Sequence, residues 1–328
     1  MARIRAPSFP LRSRKHRMPD LALYYDNEPW LAPLRAALDA RGVDYIAVDA
    51  TSHMLDPADP TPPAPVVFNR IAMSSFKRDA DHPIFHAEAA FSIWTEQGAD
   101  VINGGEAFRI DHSKARQLAL IARAGHAIPA TRVVHRREDI AAAAKAIGYP
   151  LLVKGNIGGA GAGITRYDDG SELADAAANG LLPDSIDKVW LVQAYAAPRD
   201  GHIIRFEFLE DRFLYAIAVD GGGQFDLCPA DACVAEPGKP TVTMAPYEPS
   251  EAMVQAARDI LRAAQIDVGG CEALIDDADG SLRFYDVNAF SNFAANPREL
   301  LGWDPHDDLA DWLVARIAHA KANRHEEE

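Results

Sequence analysis

The stretch CEALIDDADGSLRFYDVN, residues 271–288, decides how the C-terminal part of the chain is interpreted. Apolar and polar residues alternate on both sides of DADGS, which predicts two antiparallel strands around a turn. In that register Glu272 lies opposite Asp286, and Asn288 projects from the same face as Asp286. Two directly opposed carboxylates repel each other. A hard divalent cation held by oxygens of Glu272, Asp286 and Asn288 explains the arrangement, whereas a solvated hairpin face is the alternative.

The remainder of the chain divides into segments with different periodicity. Strands and helices alternate over residues 20–110, beginning with the apolar stretch LALYYD, and this order predicts a parallel α/β domain. Residues 111–190 open with a helix capped by Asp111 or Ser113 and continue as a smaller α/β unit. Over residues 191–322 a period of two dominates, as in antiparallel hairpins. We therefore predict an α/β protein whose C-terminal part is α+β.

A glycine-rich loop follows the apolar strand YPLLV in the central unit. The loop KGNIGGAGAGI, residues 154–164, offers many backbone N–H groups to phosphate oxygens, and Lys154 can add a point charge. It matches neither the P-loop nor the dinucleotide-binding fingerprint. Lys114 lies one residue into a capped helix, and Arg205 lies in an alternating strand where it must be exposed or paired. A plain flexible turn and a solvated lysine are the alternatives.

Composition excludes several classes of protein. The chain has 328 residues and a formal net charge of −15, which disfavours a nucleic-acid-coating protein. No apolar run approaches the ~18 residues of a membrane span. Three cysteines suit a reducing cytoplasm rather than a disulfide framework. Residues 1–19 are basic and predict a disordered arm, or a start at Met18, with a transit peptide or an anion-binding arm as alternatives.

The ordered set of motifs resembles the ATP-grasp superfamily, most closely its glutathione-synthetase and RimK-like carboxylate–amine ligases. The resemblance covers about residues 20–318 and runs through VING, FRIDHSK, AIGYPLLVKGNIGGAGAGI, VWLVQAY, IIRFEF, CEALIDD and FYDVNAFSNF. It implies an N-terminal pre-ATP-grasp domain (20–110), a central lid (111–190) and a C-terminal catalytic subdomain (191–322).

The resemblance also implies roles for individual residues. Lys154 and Arg205 would act on the phosphates, and Mg²⁺ or Mn²⁺ would bind Glu272, Asp286 and Asn288. The residues expected to bind ATP are Lys114, Lys154, Gly158, Gly159, Gly161, Gly163, Gln193, Ala194, Tyr195 and Asp200. Asp200 would replace an acid found in relatives where this chain has Ile203. The sequence Asp226-Leu227-Cys228-Pro229 lacks the second arginine of relatives.

The implied activity is ATP-dependent ligation of a carboxylate to an amine through an acylphosphate, in the cytoplasm. The substrates would be small molecules, amino acids or peptides, and the enzyme a homodimer or homotetramer. A catalytically silent nucleotide-binding protein and an ATP-grasp kinase or carboxylase are the alternatives. Because ligands bind at the carboxyl ends of parallel strands, Arg70 is a candidate substrate contact, as are Asn292 and Arg298.

Overall fold

The first unit of the protein is a four-stranded parallel sheet with the order β2-β1-β3-β4. A computed structural model describes residues 18–159, 161, 163–223 and 242–327, with side chains as far as residue 323. Helices cover both faces of the sheet, so β1 and residues 66–68 of β3 are apolar on both sides, and the predicted α/β unit is confirmed. The elements are β1 (Leu21–Tyr25), α1 (Glu28–Ala40), β2 (Tyr45–Asp49), β3 (Val66–Arg70), α2 (Ile84–Glu96), β4 (Asp100–Ile102) and α3 (Gly105–Asp111).

The central unit is a small antiparallel sheet with the order β5-β8-β6-β7. Its predicted strands and helices are present, and its strands pair antiparallel. The helices at residues 140–147 and 170–178 pack against this sheet and share one hydrophobic core cluster with it. The elements are α4 (Lys114–Arg123), β5 (Thr131–Val134), α5 (Ile140–Ile147), β6 (Leu151–Gly155), β7 (Thr165–Tyr167), α6 (Gly170–Ala178) and β8 (Trp190–Ala194).

The third unit is a five-stranded antiparallel sheet with the order β11-β10-β9-β12-β13, as the period of two predicts. The sequence did not predict β11, α3 or α8. The elements are β9 (Ile203–Leu209), β10 (Arg212–Asp220), β11 (Thr243–Tyr247), α7 (Glu251–Ala263), β12 (Val268–Ile275), β13 (Leu282–Asn288), α8 (Pro297–Leu301) and α9 (Pro305–Glu327).

The first and third units are joined by the buried side chain of Asn103. Its Nδ2 donates to the carbonyls of Val268 and Ala289 at 2.6 and 2.5 Å. Its Oδ1 accepts from the amides of Asp267 and Val268 at 2.9 and 3.3 Å. Both ends of the amide are therefore satisfied, and the end of β4 is fixed to the start of β12 and to the segment after β13.

The last helix returns to the first unit. Apolar residues of α9 share a core cluster with α1, β1 and β3, and Arg41 donates to Asp311 at 2.5 Å. The predicted domain boundaries remain predictions, because this cluster also contains residues of β10 and β12. No helix among the described residues is long and apolar enough to cross a membrane. Residues 1–17 of the predicted basic arm (1–19) and the segment 226–229 lie outside the described residues.

Candidate active site

One cavity is lined by all three units and by most of the predicted site residues. The residues predicted to bind phosphate, nucleotide or cation that line this cavity are Lys114, Lys154, Gly158, Gly159, Gly161, Gln193, Ala194, Tyr195, Arg205, Glu272, Asp286 and Asn288. Gly163 and Asp200 do not line it. Residues separated by more than 170 positions are thus brought to one place.

The acidic side of the cavity is the hairpin of β12 and β13. Glu272 is the register partner of Asp286, as predicted, and a bulge follows because Ala273 pairs with Phe284. Burial and the neighbouring carboxylate of Asp286 both raise the pKa of Glu272. The Nζ of Lys114 donates to Asp286, so one cation already offsets part of this negative charge.

Helix α4 is positioned so that Lys114 reaches Asp286. The hydroxyl of Ser113, not the carboxylate of Asp111, caps the helix by accepting from the amide of Arg116. Gln117 exchanges hydrogen bonds with the backbone of Val287 at 2.9 and 3.2 Å, which fixes α4 against β13. The sequence offered no local signal for this contact.

Asn156 connects the start of the glycine loop to the same helix. Its Oδ1 accepts from the amide of Ala115 at 2.9 Å and from the hydroxyl of Ser113 at 3.2 Å. Its carbonyl accepts from the amide of Lys114 at 3.0 Å. The two predicted phosphate lysines therefore have a common anchor, which sequence reasoning missed.

Arg205 lies buried between two carboxylates. Its Nε donates to Glu207 at 2.6 Å and its Nη1 to Glu272 at 3.4 Å. Burial alone would lower the pKa of Arg205, but the charges of Glu207 and Glu272 outweigh it and raise the pKa. Glu207 is fully buried, and its Oε2 has no partner among the described residues. Sequence reasoning missed Glu207, although the Arg-x-Glu spacing places both side chains on one strand face.

Lys154, the penultimate residue of β6, lines the cavity and is only 3% exposed. Burial, and then the charge of Lys114, lower its pKa to about 7. Among the described residues the Nζ of Lys154 donates no hydrogen bond, and burial disfavours its charged form although the charges of Asp286 and Glu272 favour it. A buried lysine with a lowered pKa and no hydrogen-bond acceptor is suited to binding a phosphate group.

The glycine loop passes directly over the first unit. Gly161 and Gly163 have φ of 68° and 65°, a region in which a side chain is strained. A Cβ on Gly159 would lie 3.2 Å from the amide nitrogen of Ser74, so the loop rests on that segment. Gly158, Gly159 and Gly161 of this loop therefore form one side of the cavity.

Another part of the cavity lining is formed by residues 193–195, where β8 ends. The side chain of Gln193 is buried and donates to Thr131 at 2.9 Å. The amides of Ala194 and Tyr195 already donate to the carbonyls of Ala130 and Pro150 at 2.8 and 3.1 Å. Contacts from these two residues to a nucleobase would therefore come from carbonyls and side chains. Ile203 lines this cavity, whereas Asp200 does not.

Of the three residues predicted to contact substrate, Asn292 lines the cavity and the other two do not. Arg70 lies behind the wall, where it donates to the carbonyl of Ser291 at 2.8 Å and to the Oδ1 of Asn292 at 2.6 Å. Arg298 is largely exposed and pairs with Asp304 and Asp307. Arg70 is the last residue of β3, at the strand's carboxyl end, but its guanidinium group is engaged by the protein itself.

Asp111 is a cavity residue that sequence reasoning considered only as a helix cap. It ends α3, and its Oδ1 accepts from the amide of Ala289 at 3.2 Å. Burial raises the pKa of Asp111 to about 7, and its Oδ2 has no partner among the described residues. Asp111 therefore adds a further buried carboxyl group near Asp286 and Lys114.

The donor set fits a hard divalent cation. Glu272 and Asp286 face each other in the strand register, and Asn288 lines the same cavity. Within the described part of the chain no cluster of three or more His, Cys, Asp or Glu side chains is suited to a metal. Two carboxylates and one amide oxygen leave positions for phosphate and water oxygens, which is how Mg²⁺ is usually held.

Comparisons with known proteins agree with this geometry. Residues 111–291, more than half of the chain, match the family described as the ATP-binding domain of the carbamoyl-phosphate synthase L chain. The chain is similar to the D-cycloserine synthetase DcsG, with a TM-score of 0.66, 19% identity, and coverage of 90% of this chain and 99% of that one.

Two further solved structures share the fold. A RimK-domain ATP-grasp protein from Sphaerobacter thermophilus DSM 20745 has a TM-score of 0.64 and 17% identity, covering 89% of this chain and 98% of that one. The ATP-grasp ligase PsnB, complexed with a minimal precursor, Mg and ADP, has a TM-score of 0.62 and 16% identity, covering 91% and 97%. Given the family match, the three-unit fold and the cavity between the units, the chain belongs to the ATP-grasp superfamily.

Proposed function

We propose that the protein is an ATP- and Mg²⁺-dependent ligase that joins a carboxylate to an amine. The observation that carries this proposal is the charge arrangement in one cavity: Lys114, Lys154 and Arg205 face Glu272 and Asp286. Three cations suit a triphosphate, and two carboxylates with Asn288 suit its metal ion. The fold shared with PsnB, a ligase solved with Mg and ADP, supports the same chemistry.

In this proposal the protein orients the phosphates and stabilises charge, which is most of what phosphoryl transfer requires. Lys154 and the glycine loop hold the triphosphate, while Arg205 faces the phosphoryl group that is transferred. Glu272, Asp286 and Asn288 would hold Mg²⁺, which neutralises charge on the phosphate oxygens when bound. Because Lys114 contacts Asp286, it links the metal ligands to the phosphate site.

The covalent steps take place on the substrates. A carboxylate oxygen attacks the γ-phosphorus of ATP and ADP leaves, giving an acylphosphate. The amine then attacks the acyl carbon, the C–O bond to phosphate breaks, and the amine loses its proton as the amide forms. The glycine loop, which rests on Ser74, would keep water from the acylphosphate.

The test is ADP release coupled to hydroxamate formation, with ATP, Mg²⁺, hydroxylamine and a pool of amino acids and small acids. We expect both products, and we expect Lys154→Ala and Asp286→Ala to abolish them. Lys145→Ala and Asp175→Ala, which alter exposed residues of α5 and α6, are the matched controls and should retain activity. Unchanged turnover in the Lys154 and Asp286 variants would exclude the proposed site.

A second candidate is a nucleotide-binding protein without catalysis. Ile203 favours it, because this apolar residue lines the cavity where relatives are expected to carry an acid. This candidate requires Mg²⁺-dependent ATP binding with no ADP release from any member of the pool. A kinase or carboxylase would instead give a phosphorylated product, or turnover that depends on bicarbonate and needs no amine.

The finer assignments belong to the same proposal. The substrates would be small carboxylates, amino acids or peptides together with an amine, and the enzyme would be a homodimer or homotetramer. The cytoplasm is the proposed location, and Cys271, a buried free thiol, suits a reducing compartment. Sedimentation of the purified protein tests the oligomeric state directly.

A further inference from the structure

One end of the cavity is uncharged. It is formed where β1 and β3 end and where the chain leaves β13, and we call it the aromatic end. Its lining consists of Trp30, the segment 72–74, Phe290, Asn292 and Phe293. Among these described residues the polar groups are an amide and a hydroxyl, and none carries a charge. Because Phe290 and Asn292 lie two and four residues after Asn288 in the chain, the aromatic end adjoins the proposed metal ligands.

The two main rings of the aromatic end are held in fixed positions. Trp30 and Phe290 pack on each other with ring centroids 5.9 Å apart and planes inclined at 39°. The guanidinium of Arg78 lies 4.7 Å from the Trp30 ring, and that of Arg70 lies 4.5 Å from the Phe290 ring. Neither arginine lines the cavity, so each cation supports a ring from behind.

Both arginines are already engaged, so neither offers a free fork to a substrate carboxylate. Arg70 is 3% exposed and donates to Ser291 and Asn292 through its two terminal nitrogens. Its Nε has no partner among the described residues, but it too is buried behind the ring. Arg78 pairs with the buried carboxylate of Asp26.

The Asp26 carboxylate also stabilises the rest of the wall. Its Oδ1 accepts from the amide of Ala72 at 3.3 Å, and Arg78 donates to the hydroxyl of Ser74 at 3.5 Å. The segment 72–74 is therefore tied to the same ion pair that supports Trp30. A rigid, preformed wall of this kind selects ligands by shape and polarity.

We propose that the aromatic end binds an uncharged, apolar or aromatic side chain of the substrate, next to the carboxyl group that reacts. This inference rests on the proposed ligase function and specifies its substrate class. A charged side chain would lose its hydration there without gaining a partner, whereas an apolar one buries surface against two rings. Such a side chain can belong to the carboxylate substrate or to the amine substrate, and the experiment below distinguishes these two cases.

The experiment compares leucine and phenylalanine with lysine and glutamate. Each is offered first as the carboxylate with hydroxylamine, and then as the amine with the best carboxylate found. We expect kcat/KM for the apolar pair to exceed that for the charged pair by roughly tenfold or more in one of the two roles. Trp30→Ala and Phe290→Leu should reduce that ratio about tenfold and leave the KM for ATP unchanged.

The control is Phe85→Ala, since Phe85 lies on α2 with 47% exposure and does not line the cavity. It should leave the ratio unchanged. A preference for the charged pair, or a ratio unaffected in both Trp30→Ala and Phe290→Leu, would overturn the inference while ADP release still supported the ligase.

Equilibrium binding of the four amino acids, measured with a non-hydrolysable ATP analogue and Mg²⁺ present, separates this inference from the ligase proposal. If no amino acid is turned over but binding still favours the apolar pair and weakens in the Trp30 variant, the ligase proposal fails, and only the binding of apolar side chains at the aromatic end is supported. If binding shows no such preference, the inference fails whatever the turnover.

Discussion

Glu207 offers a sharp test of how the site is held together. It is fully buried, and it accepts from the Nε of Arg205 at 2.6 Å. If Glu207 is replaced by alanine, Arg205 remains buried with Glu272 as its nearest carboxylate, at 3.4 Å. Removing one partner of a buried ion pair typically costs about 3–5 kcal/mol, because the other charge is left uncompensated. Glu207→Gln keeps the acceptor oxygen and the volume, and exchanging a charged for a neutral hydrogen bond costs roughly 1–2 kcal/mol.

The two variants should therefore separate in a graded way. In urea denaturation we expect Glu207→Ala to lose much more stability than Glu207→Gln. In the ADP-release assay we expect Glu207→Gln to lower kcat by about tenfold, since ~1.4 kcal/mol of lost transition-state stabilisation corresponds to that factor. The KM for ATP should change little, because Lys114, Lys154 and the loop are untouched.

Exposed Glu138→Gln is the matched control, since its side chain lies on the surface before α5. Wild-type stability and kcat in both Glu207 variants would refute the reasoning, because Arg205 would then not depend on this partner. Equal losses in the alanine and glutamine variants would refute the assigned role of the hydrogen bond, because only glutamine retains an acceptor for the Nε of Arg205.

Other predictions follow from single features of the structure. Asn103→Ala should lower the free energy of unfolding by roughly 2–4 kcal/mol, because buried backbone groups lose their partners, and an unchanged urea midpoint would contradict this. The pKa of Lys154 is about 7 in the folded protein and about 10.5 in the unfolded chain. Between pH 7 and pH 10.5 the unfolded chain therefore binds more protons than the folded protein. The nucleotide-free protein should therefore gain stability as pH rises through that window, and Lys154→Met should flatten the dependence of Tm on pH; parallel curves would argue against it. Gly161→Ala and Gly98→Ala should lose similar stability, since φ is positive at both (68° and 82°), but only the Gly161 variant should raise the KM for ATP.

Much of the fold could be predicted because its signals are local. The alternation in residues 271–288 is symmetrical about its turn, so the pairing of Glu272 with Asp286 needed no knowledge of the rest of the chain. The parallel N-terminal sheet likewise follows from apolar strands alternating with amphipathic helices. The short elements β11 and α8 lack such periodicity, and the antiparallel pairing of the central sheet depends on crossovers that periodicity does not encode.

The parts of the site that escaped prediction depend on distant contacts. Arg70 carries the charge expected of a substrate contact, yet its partners lie more than 220 residues away in the sequence. Asn156 and Asp111 become informative only when α4 and β13 are placed beside them. Glu207 was the nearest to being predictable, since a strand that holds Arg205 inside the protein requires a carboxylate on the same face.

The central claim is that a substrate carboxylate attacks ATP, and isotope transfer tests it most directly. The carboxylate found to be active is labelled with ¹⁸O and converted with ATP, Mg²⁺ and an amine, and the inorganic phosphate is analysed by mass spectrometry. Because the bridging oxygen of an acylphosphate leaves with phosphate, we predict one ¹⁸O atom in each phosphate released. Amide product accompanied by unlabelled phosphate would contradict the proposed mechanism.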